Sequence, residues 1–360
     1  MKNLTFEKIE TYNREAWFKE MFSLGSVMKD NNVKHVIFTH GTFAGNDTLG
    51  IVRFLQSVEE ALTDSTAITS TLNKKAKRCI NRLTTDLGNF TEDYVSSFKT
   101  GINNGIACSR FIWSGDNHHM ARLDGAVNLI HKLADIKDLI DTDSNSRLLI
   151  IGHSHAGQLF ALITMLLENM DKAHAVFNTI EKTGFIKKDR VVADLKKISG
   201  LFLDFVTFGT PVRYLWGNYD KFRLLNVINH RSETQLSGLL TTRDGDYVQQ
   251  WGTEGTDIFS RKFKKLNEEL DEILDKGQDF SLIRKKLYDK QRKLPLNSKG
   301  ESVGETLLVN YRDNASFSFA SLKPFRVPHS VKTLFGHGIY TRKEAMLFNT
   351  KTIVDEFYSE

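Results

Sequence analysis

The sequence predicts an α/β fold in which a mostly parallel central sheet is flanked by helices. Short runs of Val, Ile, Leu and Phe alternate with stretches whose apolar residues recur at helical spacing. Each short run is almost continuously apolar, as a strand covered on both faces requires. Of the 360 residues, 40% are hydrophobic and 26% are charged, a balance that can bury the core of one large domain.

Six apolar runs are predicted to be the strands of this sheet: 33–39, 106–113, 147–152, 201–208, 222–229 and 306–311. Helices are predicted where the spacing of apolar residues changes to that of an α-helix. The clearest of them cover 123–133, 159–170 and 341–358. The alternation of strands and helices predicts that successive strands are parallel neighbours.

Two polar segments, 64–99 and 258–294, interrupt this alternation. We predict that both are helical insertions in a single domain that spans residues 1–360. In the second segment, Phe263, Leu266 and Leu270 share one helix face. Two interpretations of this segment stay open, namely an amphipathic hairpin packed on the domain and a lid or cap over the site.

The net charge of +5 is small for this length and argues against a nucleic-acid partner. Mild attraction to an anionic membrane surface stays open. Two cysteines, Cys79 and Cys108, form no disulfide framework and favour a reducing compartment. Residues 1–30 lack the apolar core of a secretory signal, and the apolar stretch 148–170 is interrupted by polar residues. A soluble, cytoplasmic protein is expected, with export by a route without a cleaved signal left open.

The strongest chemical signal is the segment Gly152-His153-Ser154-His155-Ala156-Gly157, between a predicted strand and an apolar helix. A serine on so sharp a turn projects its hydroxyl from the carboxyl end of the strand and needs small neighbours. The first turn of the helix supplies free N–H groups and a positive dipole end for a developing oxyanion. Ser154 is therefore predicted to be a nucleophile, and the alternative is a serine in an ordinary tight turn.

This segment resembles the nucleophile elbow of lipases and esterases in the α/β-hydrolase superfamily, with Ala156 in place of the usual second glycine. Two further motifs resemble the same family, His40-Gly41-Thr42 and Gly209-Thr210-Pro211, each at the end of a predicted strand. The resemblance implies the α/β-hydrolase fold and a Ser-His-Asp triad. It also implies an ester substrate, either a small molecule or a lipid, and no cofactor or metal.

The resemblance implies in addition where the oxyanion hole lies. In the family, the turn that contains Gly41 supplies one N–H group, here that of Thr42 or Phe43. The second N–H comes from the residue after the nucleophile, which is His155. His40 is expected to be structural in this setting.

The catalytic base is expected late in the chain, because this fold orders its triad as serine, acid and histidine. His337 fits, since it follows the last predicted strand, precedes the last helix and stands between Gly336 and Gly338. The glycines form a loop that is free to aim the imidazole at the serine. His329 is the competing residue, but Pro328 beside it indicates a plain loop.

The acid is the least defined member of the triad. It must lie near the carboxyl end of the fifth predicted strand, because that edge of the sheet faces the site. Asp246 is preferred, since its Gly-Asp-x-Val setting resembles the acid loop of many lipases. Asp244, Asp257 and Glu233 remain alternatives, whereas Asp220 precedes the strand and should lie at the wrong end.

The polar loop with Asp116, His118 and His119 also follows a predicted strand. Its spacing matches no closed zinc pattern, and adjacent histidines normally point apart. We therefore favour a loop that lines the substrate cleft over a metal site.

The sequence thus predicts a serine hydrolase that cleaves carboxylic esters through an acyl-enzyme, with Ser154, His337 and Asp246 as its triad. A lipase, phospholipase or carboxylesterase is expected. The alternatives are a thioesterase or acyltransferase on the same fold, or a non-catalytic binding protein that kept the fold. The oligomeric state is left open.

Overall fold

The computed structural model describes residues 2–6, 13–41, 88–140, 145–218, 220–230, 245–246, 248–249, 263–274, 294–311 and 336–359. In these ranges seven strands form one sheet: β1 (Lys2–Phe6), β2 (Val33–Thr39), β3 (Ala107–Phe111), β4 (Arg147–His153), β5 (Phe202–Phe208), β6 (Phe222–Asn229) and β7 (Glu305–Tyr311). The strand order is β1-β7-β6-β5-β4-β2-β3, and every pairing is parallel. The predicted α/β architecture with a parallel sheet is confirmed.

Eight α-helices in the described part of the chain cover the sheet: α1 (Arg14–Asp30), α2 (Glu92–Ile102), α3 (His119–Leu139), α4 (Ala156–Glu168), α5 (Met170–Glu181), α6 (Lys188–Ile198), α7 (Lys264–Leu274) and α8 (Lys343–Phe357). Helices α1, α2 and α8 contribute to one apolar cluster, and α3 to α7 contribute to another. None of these helices combines the length and the apolar character needed to cross a membrane.

Strand β4 shows why the predicted strands are almost continuously apolar. Leu148 and Ile150 belong to the cluster beneath α3 to α7, whereas Leu149 and Ile151 belong to the cluster beneath α1, α2 and α8. Successive side chains of a strand point to opposite faces of the sheet, so a strand with helices on both faces buries all of them. The alternation of β4 between the two clusters places both cores directly against this strand.

Two elements near the start of the chain were not predicted. Strand β1 lies at the edge of the sheet and pairs only with β7, so its pattern need not be continuously apolar. Helix α1 buries Met21, Leu24 and Met28. Their spacing is helical, so the sequence did contain a signal for this helix.

The two predicted insertions lie partly outside the described residues. Residues 64–87 of the first are not described, and its last residues belong to α2, which buries Tyr94 and Phe98 in the core. This end of the segment is therefore part of the helical layer, not an addition to it. Of 258–294, the structure describes α7, whose Leu270 and Leu274 are fully buried beside α3 and α5.

The order of the strands reverses at β2. Strand β3 lies on one side of β2, and the chain then returns to place β4 on the other side. Strands β5, β6 and β7 continue outward from β4. In open parallel sheets, ligands bind outside the carboxyl ends of the strands at such a reversal. The carboxyl ends of β2 and β4 are therefore the expected location of a functional site.

Asp204 on β5 holds together three elements of the fold. Its fully buried carboxylate accepts hydrogen bonds from Arg147 on β4 (3.1 Å) and from two nitrogens of Arg223 on β6 (2.8 and 2.9 Å). The hydroxyl of Tyr358, just after α8, donates to the same carboxylate at 2.8 Å. This carboxylate therefore joins the sheet to the last helix.

We expect Asp204→Asn to lower the free energy of unfolding by about 2–3 kcal/mol, below the usual range for a broken buried pair because both arginines are partly exposed. Denaturant unfolding of the two chains measures this difference. Asp355→Asn is the matched control, because Asp355 is half exposed and its ion-pair partner among the described residues is Lys351 of the same helix. Equal losses in the two variants would contradict the structural role given to Asp204.

Candidate active site

Ser154 lies on the sharp turn between β4 and α4. Its backbone φ is 56°, in the left-handed region that residues other than glycine rarely adopt. The Ser154 N–H donates to the carbonyl of Phe208 at 2.8 Å, and the Thr210 hydroxyl donates to the Ser154 carbonyl at 2.7 Å. Such strain costs about 1–3 kcal/mol and is typical of functional sites. The carboxyl end of β5 thus holds the strained turn in place.

Small residues around this turn are required by close contacts. A methyl group on Gly41, at the end of β2, would come within 2.6 Å of the Ser154 Cβ atom. A methyl group on Gly157 would lie 2.3 Å from the Thr210 hydroxyl oxygen. Either substitution would displace the serine or the first turn of α4. The ends of β2 and β4 therefore meet directly at Ser154.

His337 and Asp246 form a buried hydrogen-bonded pair. The Nδ1 atom of His337 lies 2.8 Å from Oδ2 of Asp246, and the two residues are 3% and 0% exposed. The Asp246 N–H donates to the carbonyl of Asn229, the last residue of β6, at 2.9 Å. The structure therefore places Asp246 at the carboxyl end of β6, where the acid was expected. It also brings the predicted acid and the predicted base together.

Three donors among the described residues stabilise the charged form of the Asp246 carboxylate. Besides His337, the Tyr340 hydroxyl donates to Oδ2 at 2.7 Å, and the Gln249 N–H donates to Oδ1 at 2.8 Å. Burial alone would raise the pKa of Asp246, but the charge of His337 and these hydrogen bonds outweigh it and lower the pKa. Asp246 is therefore an ionised acceptor for the Nδ1–H group of His337. The buried Nε2 of His337 has no hydrogen-bond partner among the described residues, so its lone pair can accept a proton.

His153 connects the strand that carries the serine to the loop that carries the base. Its ring centroid lies 4.5 Å from that of His337, and its Nε2–H donates to the His337 carbonyl at 2.8 Å. Burial, followed by the charge of His337, lowers the pKa of His153 to about 3. His153 is therefore a neutral donor that fixes the base beside the elbow.

The hydroxyl of Ser154 has its own neighbour in this structure. Its Oγ lies 3.3 Å from Nδ1 of His155, and no hydrogen bond joins it to Nε2 of His337. In ligand-free enzymes, hydrogen bonds between nucleophile and base are often long and tighten in the substrate complex. In this structure, the predicted base is therefore paired with the predicted acid but not with Ser154.

The low pKa of His153 predicts a loss of stability in acid. The unfolded chain binds a proton on this ring below about pH 6.5, whereas the folded chain binds it only below about pH 3. The free energy of unfolding therefore decreases as the pH is lowered from about 6.5 to about 3. At pH 5 the loss relative to neutral pH is about 2 kcal/mol. His153→Gln should remove this part of the loss, measured by denaturant unfolding at about pH 7.5 and pH 5. An unchanged pH dependence in the variant would contradict the prediction.

Both ring nitrogens of His40 form hydrogen bonds. Its Nδ1–H donates to the Gly41 carbonyl at 2.6 Å, and its Nε2 accepts the Trp113 N–H at 3.2 Å. Burial lowers the pKa of His40, although the hydrogen bond to Gly41 opposes this effect. His40 therefore orders the turn after β2, and no ring nitrogen is left to act as a base for Ser154.

The remaining candidates are distributed as follows. His155 occupies the N-cap of α4, at the positive end of the helix dipole. Asp220 is exposed and precedes β6, far from the carboxyl edge of the sheet. The other candidates lie outside the described residues: Thr42, Phe43, Glu233, Asp244, Asp257 and His329.

His118 and His119 contact different partners. His118 caps α3 by accepting the Ala121 N–H at 3.2 Å. His119 is fully buried and bonds to the Tyr214 hydroxyl at 2.6 Å and to Asp271 on α7. The first residue of α3 thus contacts α7 near the carboxyl edge of the sheet. Among the described residues, no group of three or more His, Cys, Asp and Glu side chains could hold a metal ion.

Three residues that shape the site were not given roles by sequence reasoning. Thr210 stands in the Gly-Thr-Pro motif, His153 in the elbow and Tyr340 three residues after the predicted base. Thr210 and His153 lay inside motifs that had been singled out and Tyr340 lies close to one, so proximity to a motif was the available signal. No protein-family model, curated protein or solved structure matches this chain.

Proposed function

We propose that this chain is a serine hydrolase with the α/β-hydrolase fold, and that it cleaves carboxylic esters through an acyl-enzyme intermediate. One observation carries the proposal. A serine in a strained strand-to-helix turn shares one sheet edge with a buried His337–Asp246 pair whose outer imidazole nitrogen is free of partners among the described residues. A nucleophile, a base and a group that orients the base are the components of nucleophilic catalysis.

The fold supports this proposal in two ways. Ser154 and Gly41 lie at the ends of β4 and β2, where the strand order reverses and ligand sites are expected. The three residues also follow the chain order serine, acid and histidine that this fold uses. The location at the strand reversal does not depend on the resemblance to lipases, whereas the chain order is the one by which the base was predicted.

In the proposed reaction, Oγ of Ser154 attacks the ester carbonyl while Nε2 of His337 takes its proton. Asp246 holds the Nδ1–H group of His337 and stabilises the imidazolium that forms. The imidazolium then protonates the leaving alcohol as the acyl-enzyme forms. Water, deprotonated by His337, attacks the acyl-enzyme and releases the carboxylic acid and the free serine.

The oxyanion of each tetrahedral intermediate needs N–H donors. We assign one to His155, at the start of α4, and the second to Thr42 or Phe43 on the basis of the family resemblance. An oxyanion-hole donor typically contributes about 3–4 kcal/mol to transition-state stabilisation. The reaction needs no cofactor in this scheme.

A lipase, phospholipase or carboxylesterase is the preferred activity. A thioesterase has the same acyl-enzyme and a thiol leaving group, and an acyltransferase replaces water with another acceptor. A fluorophosphonate probe on the full chain tests the common step, because only an activated serine reacts rapidly with it. We expect fast labelling of one peptide that contains Ser154, and labelling no faster than that of the denatured chain would contradict the proposal. Series of p-nitrophenyl esters and acyl thioesters then distinguish the substrate classes.

A further inference from the structure

The hydroxyl of Tyr340 contacts the Asp246 carboxylate at the same oxygen as the base. The Tyr340 O–H donates to Oδ2 at 2.7 Å, and Nδ1 of His337 lies 2.8 Å from that atom. The Tyr340 oxygen in turn accepts the N–H of Asn229 at 2.8 Å. Tyr340 is fully buried. Burial, followed by the charge of Asp246, raises the pKa of Tyr340 well above 10, so it stays a neutral donor.

Asn229, at the end of β6, bonds to Asp246, to the loop of His337 and to Tyr340. The Asn229 carbonyl accepts the Asp246 N–H, and its side-chain amide donates to the Gly336 carbonyl at 3.0 Å, next to His337. Asn229 is itself the last residue of β6. The acid, the loop of the base and the tyrosine are therefore fixed to one rigid point.

The ring of Tyr340 has little freedom to move. Its centroid lies 5.8 Å from that of His153, 5.7 Å from that of Phe208 and 5.4 Å from that of Tyr311. These contacts come from β4, β5 and β7, so three strands hold the ring. A hydroxyl held this firmly can orient the carboxylate that it contacts.

We propose that Tyr340 is a positioning residue of the triad. Its hydroxyl holds the Asp246 carboxylate in place against His337 and weakens the electrostatic attraction between that carboxylate and the imidazolium. The inference rests on the proposed function. The positive end of the O–H dipole points at the shared oxygen and opposes the positive charge that forms on His337. Without the hydroxyl, the carboxylate would be less well oriented and its full charge would act on His337.

The other described groups near the His337–Asp246 pair do not weaken the attraction of the carboxylate for the imidazolium in this way. Burial lowers the pKa of His153 to about 3, so it is neutral, and burial raises the pKa of Tyr311 well above 10. The Gln249 N–H contacts the other carboxylate oxygen, Oδ1. Among the described residues, Tyr340 is thus the neutral donor at the oxygen that His337 shares.

The test compares Tyr340→Phe with Tyr311→Phe in the full chain. Both tyrosines are fully buried and their rings touch, but the Tyr311 hydroxyl donates to Asn349 at 2.7 Å and not to Asp246. For Tyr340→Phe we expect kcat on a p-nitrophenyl ester to fall about tenfold, with KM within about twofold, since the lost interaction acts on the transition state. The acidic limb of the kcat/KM profile should move to higher pH. Tyr311→Phe should leave both features unchanged.

A second variant covers the case in which Tyr340→Phe fails to fold. Fluorotyrosine at position 340 keeps both hydrogen bonds and is a stronger donor, so it should move the acidic limb to lower pH. The proposal is overturned if Tyr340→Phe behaves like Tyr311→Phe, or if kcat falls without movement of the acidic limb. It is equally overturned if fluorotyrosine has no effect on the limb. Fluorophosphonate labelling of the unaltered chain, measured first, separates these outcomes from failure of the proposed function itself.

Discussion

Ser154→Ala is expected to abolish fluorophosphonate labelling and ester hydrolysis while the fold stays intact. In the proposed mechanism the Ser154 Oγ atom forms the covalent bond to the acyl group, and an alanine offers no replacement. Removal of such a nucleophile typically lowers kcat about a millionfold. Alanine adopts the backbone φ of 56° at about the same cost as serine, so the midpoint of thermal unfolding should change little. Labelling, a p-nitrophenyl ester assay and thermal unfolding together measure these effects.

Ser199→Ala is the matched control for this substitution. Ser199 caps the end of α6, and its hydroxyl donates to the carbonyl of Lys196, away from the carboxyl edge of the sheet. This variant should be labelled as fast as the unaltered chain. Labelling of Ser154→Ala at the same rate as Ser199→Ala would show that another residue is the nucleophile.

Asp246→Asn is expected to lower kcat at least about a hundredfold, a conservative fraction of the loss that follows removal of a triad carboxylate. The asparagine amide can donate a hydrogen bond to Nδ1 of His337. That bond would place the imidazole proton on Nε2, the atom that must accept the proton of Ser154. The base would then be held in the wrong tautomer, so the loss should appear in kcat. Steady-state kinetics with a p-nitrophenyl ester measures it.

Asp244→Asn and Asp220→Asn are the comparisons for the acid. Asp244 is the close sequence alternative, and exposed Asp220 lies before β6. Each is expected to change kcat several-fold at most. A larger loss in Asp244→Asn than in Asp246→Asn would transfer the role of the acid to Asp244. Mild effects in both Asp244→Asn and Asp246→Asn would place the acid elsewhere, with Asp257 as the next residue to substitute.

The strands in the middle of the sheet were predictable because helices cover both of their faces. The apolar side chains of β2, β4 and β5 contribute to both cores, and few polar residues, such as Asp204 on β5, interrupt these runs. Strand β1 has one neighbour at the edge of the sheet, and its short sequence carries no comparable signal. The order of the strands was not predictable, because parallel pairing depends on contacts between segments that are distant in sequence.

The turn at Ser154 was also determined locally. A buried strand, a serine between small residues and an apolar helix are consecutive in the chain, so the sequence alone indicates the strained turn and the direction of the hydroxyl. The requirement for Gly41 is different. Its Cα lies against Ser154 because β2 and β4 are neighbours, which only the tertiary structure shows.

The partner of the base was decided by the tertiary structure. Asp244 and Asp246 flank one glycine, and sequence reasoning could only rank them. Gly245 has a φ of 95°, and the Asp246 N–H bonds to Asn229, so Asp246 is brought to His337, which is 91 residues further along the chain. The sequence by itself determined the parallel α/β architecture and the turn that carries Ser154, because these depend on neighbouring residues. Only the tertiary structure decided which buried groups meet at His337, because that depends on where separate strands end.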